Sequence, residues 1–307
     1  MISVLMPVYN AERYLAEAVH SILGQTWSAL ELIAVDDGST DGSLEILRRI
    51  AATDPRLEVL SFPNRGIVMA LNSGLAIARG DLVARMDADD VASPTRLAMQ
   101  ARYMERHREC IALGGQVLRT DPQGWPIARS RLPLGHNEIE ARLFAGEGGA
   151  LPHPTLMMRR ADMIALGGYR VEAQWVEDID LYLRAAEKGR LANLPDVLLR
   201  YRRHPQSVCA LRRRQQEEVV DWIRRDVCDR RGLPEPTAAA SHPSGGGAAA
   251  THFYWARTAL SHAHPMTAAK QGVIGLCKLL QHRAPARSLA YTSEHAIPRP
   301  PRAAFPP

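Results

Sequence analysis

The 307-residue sequence is short of several things, and each shortage removes a class of protein. Its four cysteines, Cys110, Cys209, Cys228 and Cys277, are far apart and form no C-x-x-C pair, so neither a zinc knuckle nor a disulfide framework is expected. They read as reduced thiols of a cytosolic protein. Long apolar runs are missing: the stretch from Gly272 to Leu280 contains Lys278 and is too short to span a bilayer. Met1 to Asn10 has no basic n-region, and no signal peptide is expected. No G-x-G-x-x-G follows the first apolar run, which argues against nicotinamide or flavin chemistry. The net charge of +5 is modest, and no nucleic-acid partner is expected. There is no internal repeat.

What is present is enough apolar sequence, 46%, for a substantial core in one large domain or one domain with an appendage. Residues 2–8 suit a buried parallel strand. Asn10 sits where a helix N-cap belongs, and Leu15, Ala18, Val19, Ile22 and Leu23 follow at helical spacing up to Gly24. The alternation continues with a strand at 31–35, a helix at 43–52, a strand at 57–62, a helix at 67–78 and a strand at 82–86. Such βαβ units predict an α/β fold with a mostly parallel sheet covered by helices on both faces. Beyond Pro94 the pattern gives a helix at 96–107, a strand at 111–120 ending in the turn Asp121-Pro122-Gln123-Gly124, a short strand at 156–158, and helices at 179–188 and 215–228. Arginines crowd residues 212–231 among Glu and Asp, which reads as a solvated, mixed-charge helix face or, alternatively, a basic surface resting on anionic lipid or acidic polymer. Residues 232–250 turn to Pro, Ala, Ser and Gly and predict a linker. Residues 251–283 predict a small C-terminal helical extension of two short helices, and the Pro-rich 284–307 is expected to be disordered.

Ligands of such sheets bind beyond the carboxyl ends of the strands, and the acidic clusters fall there. Asp87-Ala88-Asp89-Asp90 follows the fourth strand. Hard divalent ions take one or two carboxylates plus substrate phosphates, so this D-x-D suits a metal bridging protein and diphosphate. The alternative is that these carboxylates cap the next helix or pair with Arg85 and Arg96. Asp36-Asp37-Gly38-Ser39 follows the second strand. It begins like a calcium loop, but Arg48 stands where a bidentate Glu is required, and that reading fails. A carboxylate there can instead accept hydrogen bonds from a base or ribose. Glu177-Asp178, with Asp180 close behind, opens the helix at 179. Capping and dipole compensation are one reading, a general base toward an acceptor hydroxyl the other.

The order and content of these pieces resemble inverting family 2 glycosyltransferases of the GT-A fold. Met6-Pro7-Val8-Tyr9-Asn10, Val35 to Asp41, Asn64-Arg65-Gly66 with Ala70-Leu71-Asn72-Ser73-Gly74, and Ala84 to Asp90 match in order. His153-Pro154-Thr155, Glu177-Asp178 and Tyr201-Arg202-Arg203-His204 are similar to later motifs, so the resemblance covers residues 1 to about 210. It implies a GT-A catalytic domain over 1–231, with a nucleotide-binding half at about 1–120 and an acceptor half at about 121–231. It also implies a nucleotide-diphosphate sugar donor, usually a UDP-sugar, and a Mn2+ or Mg2+ cofactor. Pro7 and Tyr9 would line the nucleotide pocket and Asp37 would bond the base. Arg65 would face the donor phosphates or solvent, and Asp87 the ribose or donor sugar. Asp89 and His204 would approach the metal, Asp178 would be the base, and Glu177 would contact the acceptor. The acceptor would be a glycan or lipid-linked glycan of cell-surface polysaccharide synthesis, with the protein in the cytoplasm or peripheral at the inner face of the membrane through basic or C-terminal helices. For the helices from Thr251, simple packing on the main domain is the better expectation, with a membrane, a partner or the acceptor as the alternatives.

Two departures narrow this. Gln215 to Val219 lacks the Q-x-x-R-W of processive synthases, so a single addition is the better expectation. The Glu147-Gly148-Gly149-Ala150 segment reads as a flexible loop that identifies no sugar. A sugar nucleotidyltransferase would need a Gly-rich phosphate loop that residues 7–14 do not offer. A non-catalytic nucleotide-sugar binder of the same fold stays open.

Overall fold

A computed structural model describes residues 1–204, 213–234 and 248–283. Most of the expected linker, the tail from 284 and Cys209 lie outside the described residues.

The first half follows the alternation. The elements are β1 (Ile2–Val8), α1 (Glu12–Leu23), β2 (Leu30–Asp36), α2 (Ser43–Ala51), β3 (Leu57–Ser61), α3 (Ile67–Ile77), β4 (Leu82–Arg85), β5 (Val91–Ala92) and α4 (Arg96–Arg106). The second half comprises β6 (Cys110–Thr120), β7 (Pro126–Arg129), α5 (His136–Phe144), β8 (Met157–Arg159), α6 (Arg160–Ala165), α7 (Glu177–Ala186), β9 (Arg190–Arg202), α8 (Arg213–Arg231), α9 (Ala248–Ser261) and α10 (Pro265–Arg283). Sequence reasoning missed β5, β7, α5, α6 and the long β9. The first four are short, and a Pro at position 195 obscures the strand pattern of β9.

The sheet runs β3-β2-β1-β4-β8-β6-β9-β5, with β7 paired to β6. Its β3-β2-β1-β4 part is parallel, while β8 is antiparallel to both β4 and β6. β6 and β9 are again parallel. Side chains alternate between two cores, as a pleated strand demands. Ile2, Val4, Met6 and Val8 of β1 pack with α1, α2 and α4, and Leu5 packs on the other face with α3 and α7. All five residues expected on the buried stripe of α1 are buried.

Asn10 is not the N-cap of α1. It has φ 48°, and its side-chain oxygen accepts the Thr40 N–H at 2.8 Å. The helix starts one residue later and is capped across the chain. Asp41 accepts the Glu12 N–H at 3.1 Å, and the Glu12 carboxylate accepts the Gly42 N–H at 3.0 Å. Each helix thereby satisfies an orphan donor at the other's start, which locks the loop after β1 to the loop after β2.

Arg96 does not pair with the acidic cluster. It is fully buried behind β4, where it donates to the carbonyl of Arg85 at 2.7 Å and to Gln100 at 3.1 Å. Burial and the neighbouring Arg85 pull its pKa down to about 9. The arginine-rich α8 is not simply a solvated face. Ile223 and Val227 enter the second core, Cys228 is buried, Arg230 and Arg231 pair with Glu187, and Arg224 donates to the Phe144 carbonyl at 2.6 Å.

Candidate active site

The carboxyl ends of β1, β2 and β4 open into one cleft of about 1920 Å³. Pro7, Tyr9, Asp37, Arg65, Asp87, Asp89, Glu177, Asp178 and His204 all line it. Six separate stretches of sequence thus meet at the position the strand-end rule predicts.

Asp37 is held by its surroundings. Its N–H donates to the Val8 carbonyl at 2.8 Å, and its buried carboxylate accepts the N–H groups of Arg65 at 2.7 Å and Gly66 at 2.9 Å. Asp37 therefore shapes the 64–66 loop as one wall of the cleft. Gly38 lies beneath that loop at φ +73°, and a Cβ there would stand 2.6 Å from the Asn64 backbone nitrogen. No other residue fits this approach. Arg65 is exposed, its guanidinium 5.7 Å from the Phe62 ring centre.

Asp87, Asp89 and Asp90 bring one carboxylate oxygen each within 4.8 Å of the others. Asp87 pairs with Arg85 at 2.6 Å, so the pairing read as an alternative to metal binding does occur for this residue. Asp90 is fully buried. One of its oxygens accepts the Arg202 N–H at 2.8 Å and the other has no partner among the described residues. Burial pushes the Asp87 carboxyl up, opposed by Arg85. Burial, then Asp89 and Asp87, push Asp90 well up. A divalent cation relieves this crowding of negative charge. Hard oxygen donors, a half-exposed Asp89 and an orphaned carboxylate oxygen all fit one. His204 reaches the same place, with Nε2 2.8 Å from an Asp89 oxygen and its ring 5.9 Å from that of Tyr14.

Arg202 sets this geometry. It donates to the Asp89 carbonyl, the Pro122 carbonyl and Glu17, and its guanidinium lies 4.4 Å from the Tyr14 ring centre. One side chain thus ties the end of β9 to α1, to the acidic loop and to the turn after β6.

On the facing wall, Trp175 adopts φ 81°, strained for a bulky residue, immediately before α7. Glu177 and Asp178 occupy the first turn. Glu177 is buried, with Oε1 3.8 Å from His153 Nδ1 and Oε2 lacking a partner among the described residues. Burial and then the Asp178 charge raise its pKa to about 7. Burial likewise raises Asp178, whose Oδ1 accepts the Ile179 N–H at 2.8 Å. Asp180 faces away from the cleft. It pairs with Arg170, and with Arg184 at 2.7 Å, anchoring α7 in the body.

Sequence reasoning gave no site role to Arg85, His153 or Tyr169. Arg85 is buried, and its Nε and Nη1 have no hydrogen-bond partner among the described residues. Burial opposes its charge, but Asp87, Tyr169 and Glu177 outweigh that and hold it more firmly protonated than usual. Burial and Arg85 push His153 well below its ordinary range, so it is neutral, and its Nε2 shares a 2.9 Å hydrogen bond with Tyr169. Asn72 bonds the Tyr169 backbone in both directions, which accounts for the polar residue in the α3 motif. An arginine on an otherwise apolar strand ahead of a carboxylate cluster was the available signal for Arg85.

Residues 3–166 match the family model described as Glycosyl transferase family 2. A glycosyltransferase of Haemophilus influenzae that carries no assigned role is 32% identical over 238 residues, 74% of this chain and 72% of that protein. The amylovoran biosynthesis glycosyltransferase AmsE of Erwinia amylovora is 36% identical over 206 residues, 66% of this chain and 76% of its own. Among solved structures, S. aureus TarS 1–349 in complex with UDP-GlcNAc superimposes with a TM-score of 0.60 at 18% identity, covering 91% of this chain and 80% of that one. The mannosyltransferase PcManGT of Pyrobaculum calidifontis, solved with GDP-Man and Mn2+, gives 0.55 at 20% identity over 89% and 86%. These likenesses bear out the GT-A type α/β fold, and the family match extends over more than half of the sequence. This chain belongs to glycosyl transferase family 2.

Proposed function

We propose that this glycosyltransferase moves one sugar from a nucleotide-diphosphate donor, a UDP-sugar first, to a hydroxyl of a glycan or lipid-linked acceptor, with inversion. The observation that carries this is the placement of two acidic walls, Asp87-Asp89 and Glu177-Asp178, in one cleft, close enough that the charge of Asp87 weighs on Asp178. Residues 1–120 are assigned the nucleotide and 121–231 the acceptor. Pro7 and Tyr9 flank the base and Asp37 meets it. Arg65 faces the phosphates, and Asp87 the ribose or donor sugar. Asp89, with His204 beside it, is assigned a Mn2+ or Mg2+ ion, which when bound supplies Lewis-acid stabilisation of the departing diphosphate.

Asp178 accepts the acceptor proton as the acceptor oxygen attacks the anomeric carbon from the side opposite the diphosphate. Glu177 contacts the acceptor, and burial keeps Asp178 basic. A single displacement needs no enzyme nucleophile, and it inverts the anomeric centre. The names of relatives such as AmsE support a place in polysaccharide synthesis.

The test is a thermal-shift series with UDP, GDP, CDP and dTDP, with and without manganese, on wild type and Asp89→Ala. A manganese-dependent shift for one nucleotide, lost in the variant, is expected. Asp178→Asn should keep that shift and lose transfer. A shift without any transfer by wild type would leave a nucleotide-sugar binder.

A further inference from the structure

The last two described helices carry their apolar side chains outward. On α10, Met266, Ala269, Val273 and Leu276 follow one another at three- and four-residue steps, all exposed, Met266 to 70% and Val273 to 63%. On α9, Phe253 and Leu260 lie on an exposed face with Arg257 between them. Seven of the fourteen large apolar side chains exposed among the described residues fall between 253 and 279, so the uncovered apolar surface is concentrated here.

The inner face of the pair joins polar anchors to a small apolar contact. His252 bonds Gln271 at 2.7 Å, and Gln271 and Lys270 both donate to the fully buried Asp121, at 2.7 and 2.5 Å. Trp255 and Ala259 pack on Ile127 and Ala128 of β7. The helix pair is therefore built onto the β6–β7 ribbon through satisfied polar groups and one small apolar contact, and it leaves a further stripe of hydrophobes facing the surroundings.

Charge selects what covers them. Residues 236–293 contain no Asp or Glu, and residues 236–307 hold seven Lys and Arg against one carboxylate, Glu294. The chain's whole excess of positive charge, +5, resides in this end. A second copy of the chain would bring the same charge and be repelled. An anionic lipid surface offers hydrocarbon to the stripe and counter-charge to the exposed Arg257 and Lys278.

We infer that the α9–α10 pair is a docking surface for an anionic bilayer, with Met266, Val273 and Leu276 in the lipid interface. It sits on the ribbon whose turn reaches the cleft through Pro122, so docking brings the cleft beside the membrane. Docking itself is independent of the reaction. The benefit for a lipid-linked acceptor rests on the function proposed above.

The experiment is sedimentation of the full chain with vesicles of phosphatidylcholine alone or of phosphatidylcholine and phosphatidylglycerol in equal parts. About tenfold more bound protein on the anionic vesicles is expected, falling at high salt. The double variant Val273→Asp, Leu276→Asp should lose vesicle binding while keeping the manganese-dependent nucleotide shift, which shows that it folds. Equal or absent sedimentation with both vesicles overturns the proposal. So does a wild-type dimer in light scattering that the double variant dissolves, since a second copy then covers the face. Vesicle binding without any nucleotide shift sinks the proposed function and leaves the docking surface standing.

Discussion

Glu177 and Asp178 are adjacent carboxylates taken out of water without a cation bonded to either among the described residues, and their behaviour with pH follows from that. The acid form of Glu177 persists to a pKa of about 7, and burial raises Asp178 above its ordinary carboxyl range as well. Transfer should be full above this range and fall as pH drops through it, the limb belonging to the pair rather than to one residue. Glu177→Gln removes the group that titrates near 7, and the limb of kcat against pH should then be the single titration of Asp178. The same variant tests the stability cost of the site. A carboxyl whose folded pKa exceeds its unfolded value of about 4.5 loses stability as pH rises from that value to about 7. Glu177→Gln should therefore raise Tm at pH 8, by the equivalent of roughly 1–3 kcal/mol, and change it little at pH 4. Arg85 is a different case, a buried guanidinium held between the two acidic walls. Arg85→Lys keeps the charge but not the planar fork, and kcat/KM should fall about 10–100-fold with a smaller change in Tm.

At the scale of the element, the cleft depends on loops that hold one another and on a helix that is anchored from behind. Gly38→Ala forces a Cβ against the Asn64 backbone at positive φ, which should cost about 1–3 kcal/mol and weaken nucleotide binding together, read by denaturation and by calorimetry with UDP. Asp180→Asn leaves Arg170 and Arg184 without their buried partner. It should lower stability by about 3–5 kcal/mol and reduce kcat although Asp180 lines no part of the cleft. The periodicity of α1, α2 and α3 and the apolar runs of β1 and β2 made these elements legible, because each buries a full stripe or two faces. The pairing of β9 with β6 was not legible. It joins residues about 80 apart in sequence, its bulges shift the register, and Pro195 interrupts the pattern.

For the whole molecule, the parallel half of the sheet and the strand-end cleft make nucleotide binding a global stabiliser. Donor nucleotide with manganese at about 100 times its Kd should add close to 3 kcal/mol, visible as a rise in Tm of a few degrees, and Asp89→Ala should erase it. Two parts of the molecule behave differently from the body. α8, arginine-rich in sequence, is drawn into ion pairs with Glu140 and Glu187 and into the second core. The α9–α10 pair, which reads in sequence as two short helices, is anchored by Gln271, Lys270 and Trp255 and leaves a stripe of apolar side chains exposed. No helix among the described residues is long and apolar enough to cross a membrane.

The sequence by itself determined the α/β class, the succession of the first four strands and three helices, and nine candidate residues that the cleft brings together. Those features are written in local periodicity and in motifs placed at strand ends, where the chain's own alternation puts them. Only the tertiary structure decided what each charge meets. It gave Asn10 and Asp37 to neighbouring loops, Arg96 to carbonyls behind β4, Asp180 to two arginines, and Arg85 to the space between the acidic walls. Such pairings join residues far apart in the chain. Their energies depend on burial and distance, and neither exists until the sheet has assembled.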